Sequence, residues 1–409
     1  MNGDLLRLGP ATRGAARPRP AEERPPVVPK ARLRRDGRAA AARARGPGGT
    51  APPARLAGTV AALLLALLPT AAAPQGYAGL DTGGAGFAPV TAPADLAFPR
   101  DHGPHPAFRL EWWYVTANLT GPDGTDHGAQ WTLFRQATAP GPDAPGWESH
   151  QIWMGHAAVT SAATHRYAET FARGGIGQAG VEASPFHAWI DAWDLAATDT
   201  PPGADALARL RLTASGDGFA YDLALATDLP PVPQGDAGYS VKSTAGQASY
   251  YYSQPGFTVT GTLTLDGAPI PVTGRAWLDR EWSSQPLAAG QQGWDWFALH
   301  LDSGEALMAY RLRSRDAPPF LAATWIDARG RPEPLAPGVT VTAPGATAEV
   351  AGRTLPVRWR LTVPSHGLAV DTEPLNAQSW MGTTFPYWEG PIRFAGTHAG
   401  RGYLEMTGY

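Results

Sequence analysis

The chain has 409 residues, 43% of them hydrophobic and 15 of them Trp, enough to bury more than one core and consistent in length with about two domains. Its formal net charge is −3, and it has no cysteine, which excludes disulfides, thiol chemistry and thiolate metal sites.

The first 55 residues differ from the rest. They are rich in Arg, Pro and Ala ("ARPRPAEERPPVVPKARLRRDGRAAAARARGPGG") and nearly free of aromatic residues, so they predict a disordered basic leader. Either the start codon lies further downstream or the leader is a long basic n-region; nucleic-acid binding is its other reading. Residues 56–78 then carry an apolar run from Leu56 to Leu68 behind Arg55, a helix-breaking Pro69, and small residues at Ala71 to Ala73, the pattern of a secretory signal peptide. A membrane anchor needs about 20 apolar residues without such a break. The expected location is therefore periplasmic or extracellular, with membrane contact only during export. Setting aside the leader's 13 Lys/Arg and 4 Asp/Glu leaves 20 basic and 32 acidic residues, a net charge of −12, so no nucleic-acid partner is expected for the mature chain.

From residue 79 onward, short strand-like runs alternate with Gly, Pro and Asp clusters: "EWWYVTANL", "AQWTLFRQA", "FAYDLALAT", "FTVTGTLTL", "DWFALHLD", "PVRWRLTV". Regular strands with turn signals between them predict an all-β sandwich or barrel protein. A weak repeat places the boundary. "EWWYVTANLTGPDGTDHGAQWTLFR" (Glu111 to Arg135) resembles "DWFALHLDSGEALMAYRLR" (Asp295 to Arg313), and "GRAWLDREW" (Gly274 to Trp282) resembles "GRGYLEMTGY" (Gly400 to Tyr409). Two tandem antiparallel β-barrels are expected, residues 79–289 and 290–409, joined near "SSQPLAAGQQG".

Among candidate site residues, "AWLDREWSSQ" is the strongest. Alternation along a strand puts Trp277, Asp279 and Glu281 on one face and Leu278, Arg280 and Trp282 on the other. Facing an apolar barrel interior, two carboxylates beside an indole would raise each other's pKa and supply a general acid and base. The same three charged residues could instead form a structural ion-pair cluster at the barrel mouth. In the opening strand, Glu111 shares a face with Trp113 and Trp112 shares the other with Tyr114, giving either a pocket wall with one polar anchor or a core strand whose glutamate pairs with an arginine such as Arg135. His102 and His105 sit in "DHGPHP", where Gly103, Pro104 and Pro106 preclude the helix that His-x-x-His metal sites use, so neither a metal nor a cofactor is expected. "SYYYSQPGF" (Ser249 to Phe257) offers a tyrosine-rich strand for lining a pocket or packing a barrel. No nucleophile elbow or nucleotide-binding fingerprint appears.

Taken together, "FPRDHGPHP…EWWYVTANL", "SYYYSQPGFTVTGTL", "GRAWLDREWSSQPL…GWDWFALHLDSGE" and "PYWEGPI…GRGYLEMTGY" resemble the carotenoid 1,2-hydratases (hydroxyneurosporene synthases) and the AttH-like bacterial secreted proteins, over roughly residues 93 to 409. The resemblance implies two lipocalin-like barrels and a hydrophobic, isoprenoid or lipid-like ligand. In the hydratase branch an acid protonates a terminal isoprenoid double bond and water captures the tertiary cation. Asp279 matches the proposed acid there, and Tyr252 and Trp277 lie near aromatic positions that could hold the cation. From the strand pattern, Glu281 is the second catalytic candidate, and Glu111, Trp112, Tyr114, Tyr250 and Trp296 complete the candidate substrate-binding set. If the chain is an enzyme, the resemblance implies a hydratase-like hydro-lyase. The alternatives are a non-catalytic carrier or, as relatives are labelled, a secreted hydrolase, for which this chain shows no nucleophile and base arrangement.

Overall fold

The structure is a computed structural model that describes residues 77–80, 83–335, 339–342 and 346–409. The leader and nearly all of the signal segment fall outside the described residues. Those residues form two large antiparallel sheets and a separate two-stranded hairpin, with short turns of 3-10 helix as their helical content.

The first sheet contains β1 (Leu110–Thr120), β2 (Asp126–Ala137), β3 (Gln151–Ser161), β4 (His165–Arg173), β5 (Ala179–Ala183), β6 (Phe186–Ile190), β7 (Trp193–Ala197), β8 (Arg209–Gly216), β9 (Phe219–Ala226), the short β10 (Val232–Pro233) and β11 (Tyr239–Val241), then the long β12 (Ala248–Leu265) and β13 (Ala268–Ser283). Its order is β4-β3-β2-β1-β13-β12-β9-β8-β7-β6-β5, so the last strand returns beside the first and the sheet curls into a nearly closed barrel.

The second sheet follows a shorter version of the same plan. It contains β14 (Gln291–Leu301), β15 (Ala306–Ser314), β16 (Phe320–Ile326), β17 (Pro332–Pro334) and β18 (Thr340–Thr342); after a separate hairpin of β19 (Ala348–Val350) and β20 (Arg353–Leu355) come β21 (Arg360–Val363), β22 (Leu368–Pro374), β23 (Trp380–Met381), β24 (Tyr387–Gly396) and β25 (Gly400–Thr407). Its central order, β15-β14-β25-β24, repeats β2-β1-β13-β12 of the first sheet, and it forms a half-barrel. The architecture is lipocalin-like and nearly all β.

Strand alternation divides the side chains among three cores. Along β1, Trp113, Val115, Ala117 and Leu119 fill the first barrel, while Trp112 and Tyr114 turn outward. Phe297, Leu299 and Leu301 do the same for the second sheet. A third cluster, with Tyr114, Tyr251 and Trp277 from the first sheet and Trp296, Met308 and Tyr310 from the second, lies where the outer faces of the two sheets meet. The approach there is close enough to require glycine at position 128, where a Cβ would stand 2.6 Å from the Tyr403 hydroxyl. Asn118 Nδ2 donates to the Gly402 carbonyl (2.9 Å), and Asp126 pairs with Arg401 (2.8 Å), fixing the outer end of this contact.

Candidate functional site

A cavity of about 150 Å3 opens in this intersheet region, walled by Trp112, Tyr114, Phe134, Met154, Tyr251 and Trp296 among others. Asp279 and Glu281 line it as well, together with Lys242, Glu405 and Tyr387. The sequence expectation of a site inside a barrel is corrected here. Trp277, Asp279 and Glu281 do share a face, but Ala276, Leu278 and Trp282 on the opposite face fill the barrel, so the acidic face looks outward at the second sheet. The second sheet supplies the apolar cover that makes this outward face an interior one.

Asp279 is buried and accepts three hydrogen bonds. Ser253 Oγ (2.5 Å) and Trp277 Nε1 (2.7 Å) donate to Oδ1, and the Tyr251 hydroxyl (3.0 Å) donates to Oδ2. Burial dominates these donors and pushes its pKa up to about 7. No ion pair to Asp279 is found among the described residues. Arg280, its chain neighbour, points the other way and pairs with Glu111, stacking on Trp113 with its guanidinium carbon 3.9 Å from the ring centroid.

Glu281 is committed differently. Its Oε1 pairs with Lys242 Nζ at 2.8 Å and accepts from the Ser249 hydroxyl. Lys242 lies over the rings of Tyr310 (4.3 Å) and Tyr251 (4.7 Å). Burial opposes its charge, but the Glu281 carboxylate holds its pKa above the ordinary lysine value. The strand therefore contains one buried carboxyl without an ion pair among the described residues and one ion-paired carboxylate, and Asp279, Arg280 and Glu281 do not form a single ion-pair cluster, because Arg280 lies on the other face with Glu111.

Glu111 also lines the cavity. It is completely buried, pairs with Arg135 and Arg280, and accepts from the His105 backbone N–H at 2.9 Å. Against the burial that raises it, the two guanidinium groups hold its carboxyl well below the usual range. This is the core-strand reading, with Arg135 as the partner. His105 belongs to the same network and stacks on Trp282 with ring centroids 3.9 Å apart, while His102 bonds Tyr252 (2.7 Å) and Asp205 (3.2 Å).

Of the candidate substrate-binding residues, Glu111, Trp112, Tyr114 and Trp296 line the cavity, and Trp277 supports it through Asp279. Tyr250 and Tyr252 do not. Parity puts them on the barrel side of β12, where Tyr252 joins the first core and Tyr250 bonds Thr91, so the cavity tyrosine of "SYYYSQ" is Tyr251.

The sequence matches the AttH-like family over residues 89–409. The chain belongs to the AttH-like family. A crystal structure assigned as an AttH of Nitrosomonas europaea is 34% identical to this AttH-like chain, covering 79% of it and 100% of that protein, with a TM-score of 0.68. Kievitone hydratase from Nectria haematococca shares the fold at 17% identity, covering 79% of this chain and 96% of that one, with a TM-score of 0.59. No functionally curated protein matches the AttH-like chain.

Several cavity residues of the AttH-like chain escape sequence reasoning. Lys242, just after β11, and His156, on β3, are single polar residues that carry no pattern of their own. His156 bonds the Tyr387 hydroxyl (2.9 Å) and Glu169 (3.1 Å), and burial lowers its pKa. Glu405 and Glu389 stand directly opposite each other on β25 and β24. The parallel between "GRAWLDREW" and "GRGYLEMTGY" contains the signal for Glu405, because it aligns that residue with Asp279.

Proposed function

We propose that the AttH-like chain binds the branched, unsaturated end of a hydrophobic small molecule between its two sheets, and adds water to that double bond or shifts it, with Asp279 as proton donor. The observation that carries this reading is a buried carboxyl, uncharged over much of the range up to neutral pH and without an ion pair among the described residues, in an aromatic cavity. A cavity of about 150 Å3 is smaller than the roughly 300–1,000 Å3 of drug-sized sites. It matches a hollow that takes one benzene ring, so it suits an isoprenoid terminus or a single ring rather than a whole long chain.

The chemistry balances with few parts. As the Asp279 O–H bond breaks, a C–H bond forms at the less substituted alkene carbon, leaving a tertiary cation beside the rings of Tyr114, Tyr251 and Trp296. In hydration, a water oxygen bonds to the cation and the water gives up a proton. In isomerisation, a neighbouring C–H bond gives its proton back to the Asp279 carboxylate. Glu281, tied to Lys242, contributes charge to the cavity but is the poorer donor. That a chain of this fold bears the name hydratase agrees with the reaction class and leaves the substrate open.

The direct test incubates the chain with small isoprenoid alkenes in 18O-labelled water. Hydration by the unsubstituted chain and its loss in Asp279→Asn are expected; equal product from both would remove Asp279 from the mechanism. We also propose export on the strength of residues 56–78, which cell fractionation tests: recovery of the chain in the cytoplasm with that segment intact would refute it.

A further inference from the structure

The cavity has a second acidic wall. Across β1, β13 and β12, Tyr114, Asp279 and Ser253 stand in register. Across β14, β25 and β24, Trp296, Glu405 and Glu389 do the same. In each row an indole N–H reaches the central carboxyl: Trp277 to Asp279 at 2.7 Å, Trp294 to Glu405 at 2.8 Å. The rows also exchange hydrogen bonds. Tyr114 of the first row donates to Glu389 of the second, while Trp296 of the second donates to Tyr251 (3.1 Å), the donor to Asp279. Both central carboxyls line the one cavity.

We propose that Glu405 is a second acid–base residue of this cavity, holding on the second sheet the place that Asp279 holds on the first, so that one carboxyl gives the ligand its proton while the other takes the proton released by water. This rests on the hydration reading and supplies the base which that reading leaves unnamed. The working pair begins as the Asp279 acid and the Glu405 carboxylate. The Asp279 O–H bond breaks as the C–H bond forms; the water oxygen bonds to the cation; a water O–H bond breaks as Glu405 gains its proton. Return of one proton from Glu405 to Asp279 through cavity water restores the start, and the net change is alkene plus water to alcohol.

The surroundings of Glu405 fit the role. Burial and the charges of Asp279 and Glu281 raise its pKa to about 7, with hydrogen bonds from Trp294 and Tyr114 opposing them. Glu389, across from it, is pushed well up by burial and by the Glu405 charge. Lys242 on the far side is tied to Glu281, leaving Asp279 and Glu405 to exchange protons near neutrality.

Infrared titration of the full chain reads these carboxyls without a substrate. Two cavity acids are expected to ionise near pH 7, one lost in Asp279→Asn and the other in Glu405→Gln, with the remaining midpoint lowered in each variant because repulsion is removed. Geraniol in deuterated water then separates the roles. Asp279→Asn is expected to lose both deuterium entry into the recovered alkene and hydration. Glu405→Gln is expected to keep deuterium entry while hydration falls on the order of 100-fold. A Glu405 carboxylate ionised throughout, midpoints that ignore each other, or hydration unchanged in Glu405→Gln would overturn the proposal. An unsubstituted chain that neither exchanges nor hydrates would instead overturn the hydration reading, and this role for Glu405 with it.

Discussion

Tyr114, on the first sheet, donates its hydroxyl proton to Glu389, on the second. Both groups are buried, and the bond bridges residues 275 positions apart in the chain, so it measures how well the two sheets are docked. Tyr114→Phe leaves the ring in place and removes the donor. Tyr387 also bonds Glu389, so the variant loses one of two hydrogen bonds, worth about 0.5–1.5 kcal/mol, and a loss of that size in denaturant unfolding is expected; an unchanged midpoint would mean that the sheets dock without this bond.

The Glu111 network is structural, and its removal should show in stability. Glu111→Gln removes the one carboxylate that Arg135 and Arg280 share in a buried site. Breaking a buried ion pair on one side costs about 3–5 kcal/mol, so this variant is expected to unfold far earlier on thermal melting than any cavity variant. A mild effect would imply that water enters the network.

Asp279 also leaves a mark on the pH dependence of folding. Its ordinary pKa is 3.8 and its folded value about 7, so the folded state holds the proton more tightly than the unfolded chain. The stability that Asp279 contributes is then full below about pH 4, declines as pH rises toward 7, and is lost above, and Glu405 acts in the same direction. Asp279→Asn is expected to flatten that decline in thermal melts between pH 4 and 7. The opposite slope over that window would show that Asp279 is ionised in the fold.

Tyr251 tunes the acid. Its hydroxyl donates to Asp279 Oδ2 and receives the Trp296 N–H, stabilising the charged carboxylate. Tyr251→Phe is expected to raise the Asp279 midpoint further in infrared titration, because a donor to the ionised form is lost while burial is kept. A fall in the midpoint would show that the tyrosine serves the protonated form.

Much of this architecture is legible from local pattern. The matched hairpins starting at Glu111 and Asp295 do open equivalent halves of the two sheets, and the Glu111–Arg135 pair follows from register alone. Face assignment along β13 is equally plain from alternation. What alternation cannot state is which face is the inside of the barrel. For β13 both faces are buried, one by the barrel core and the other by the second sheet, and the choice depends on how the second sheet docks on the first. The same ambiguity selects Tyr251 over Tyr250 and Tyr252. Lys242 and His156 become visible only when chain folding brings them to the cavity.

The central claim is that the intersheet cavity takes a hydrophobic molecule and that Asp279 acts on it. Native mass spectrometry with organic extraction, on the purified chain beside Asp279→Asn, tests both parts together. The account predicts a co-purifying isoprenoid-like molecule that is chemically altered only by the unsubstituted chain. The same molecule bound unaltered by both would make the protein a carrier, and an empty cavity in both would contradict the account altogether.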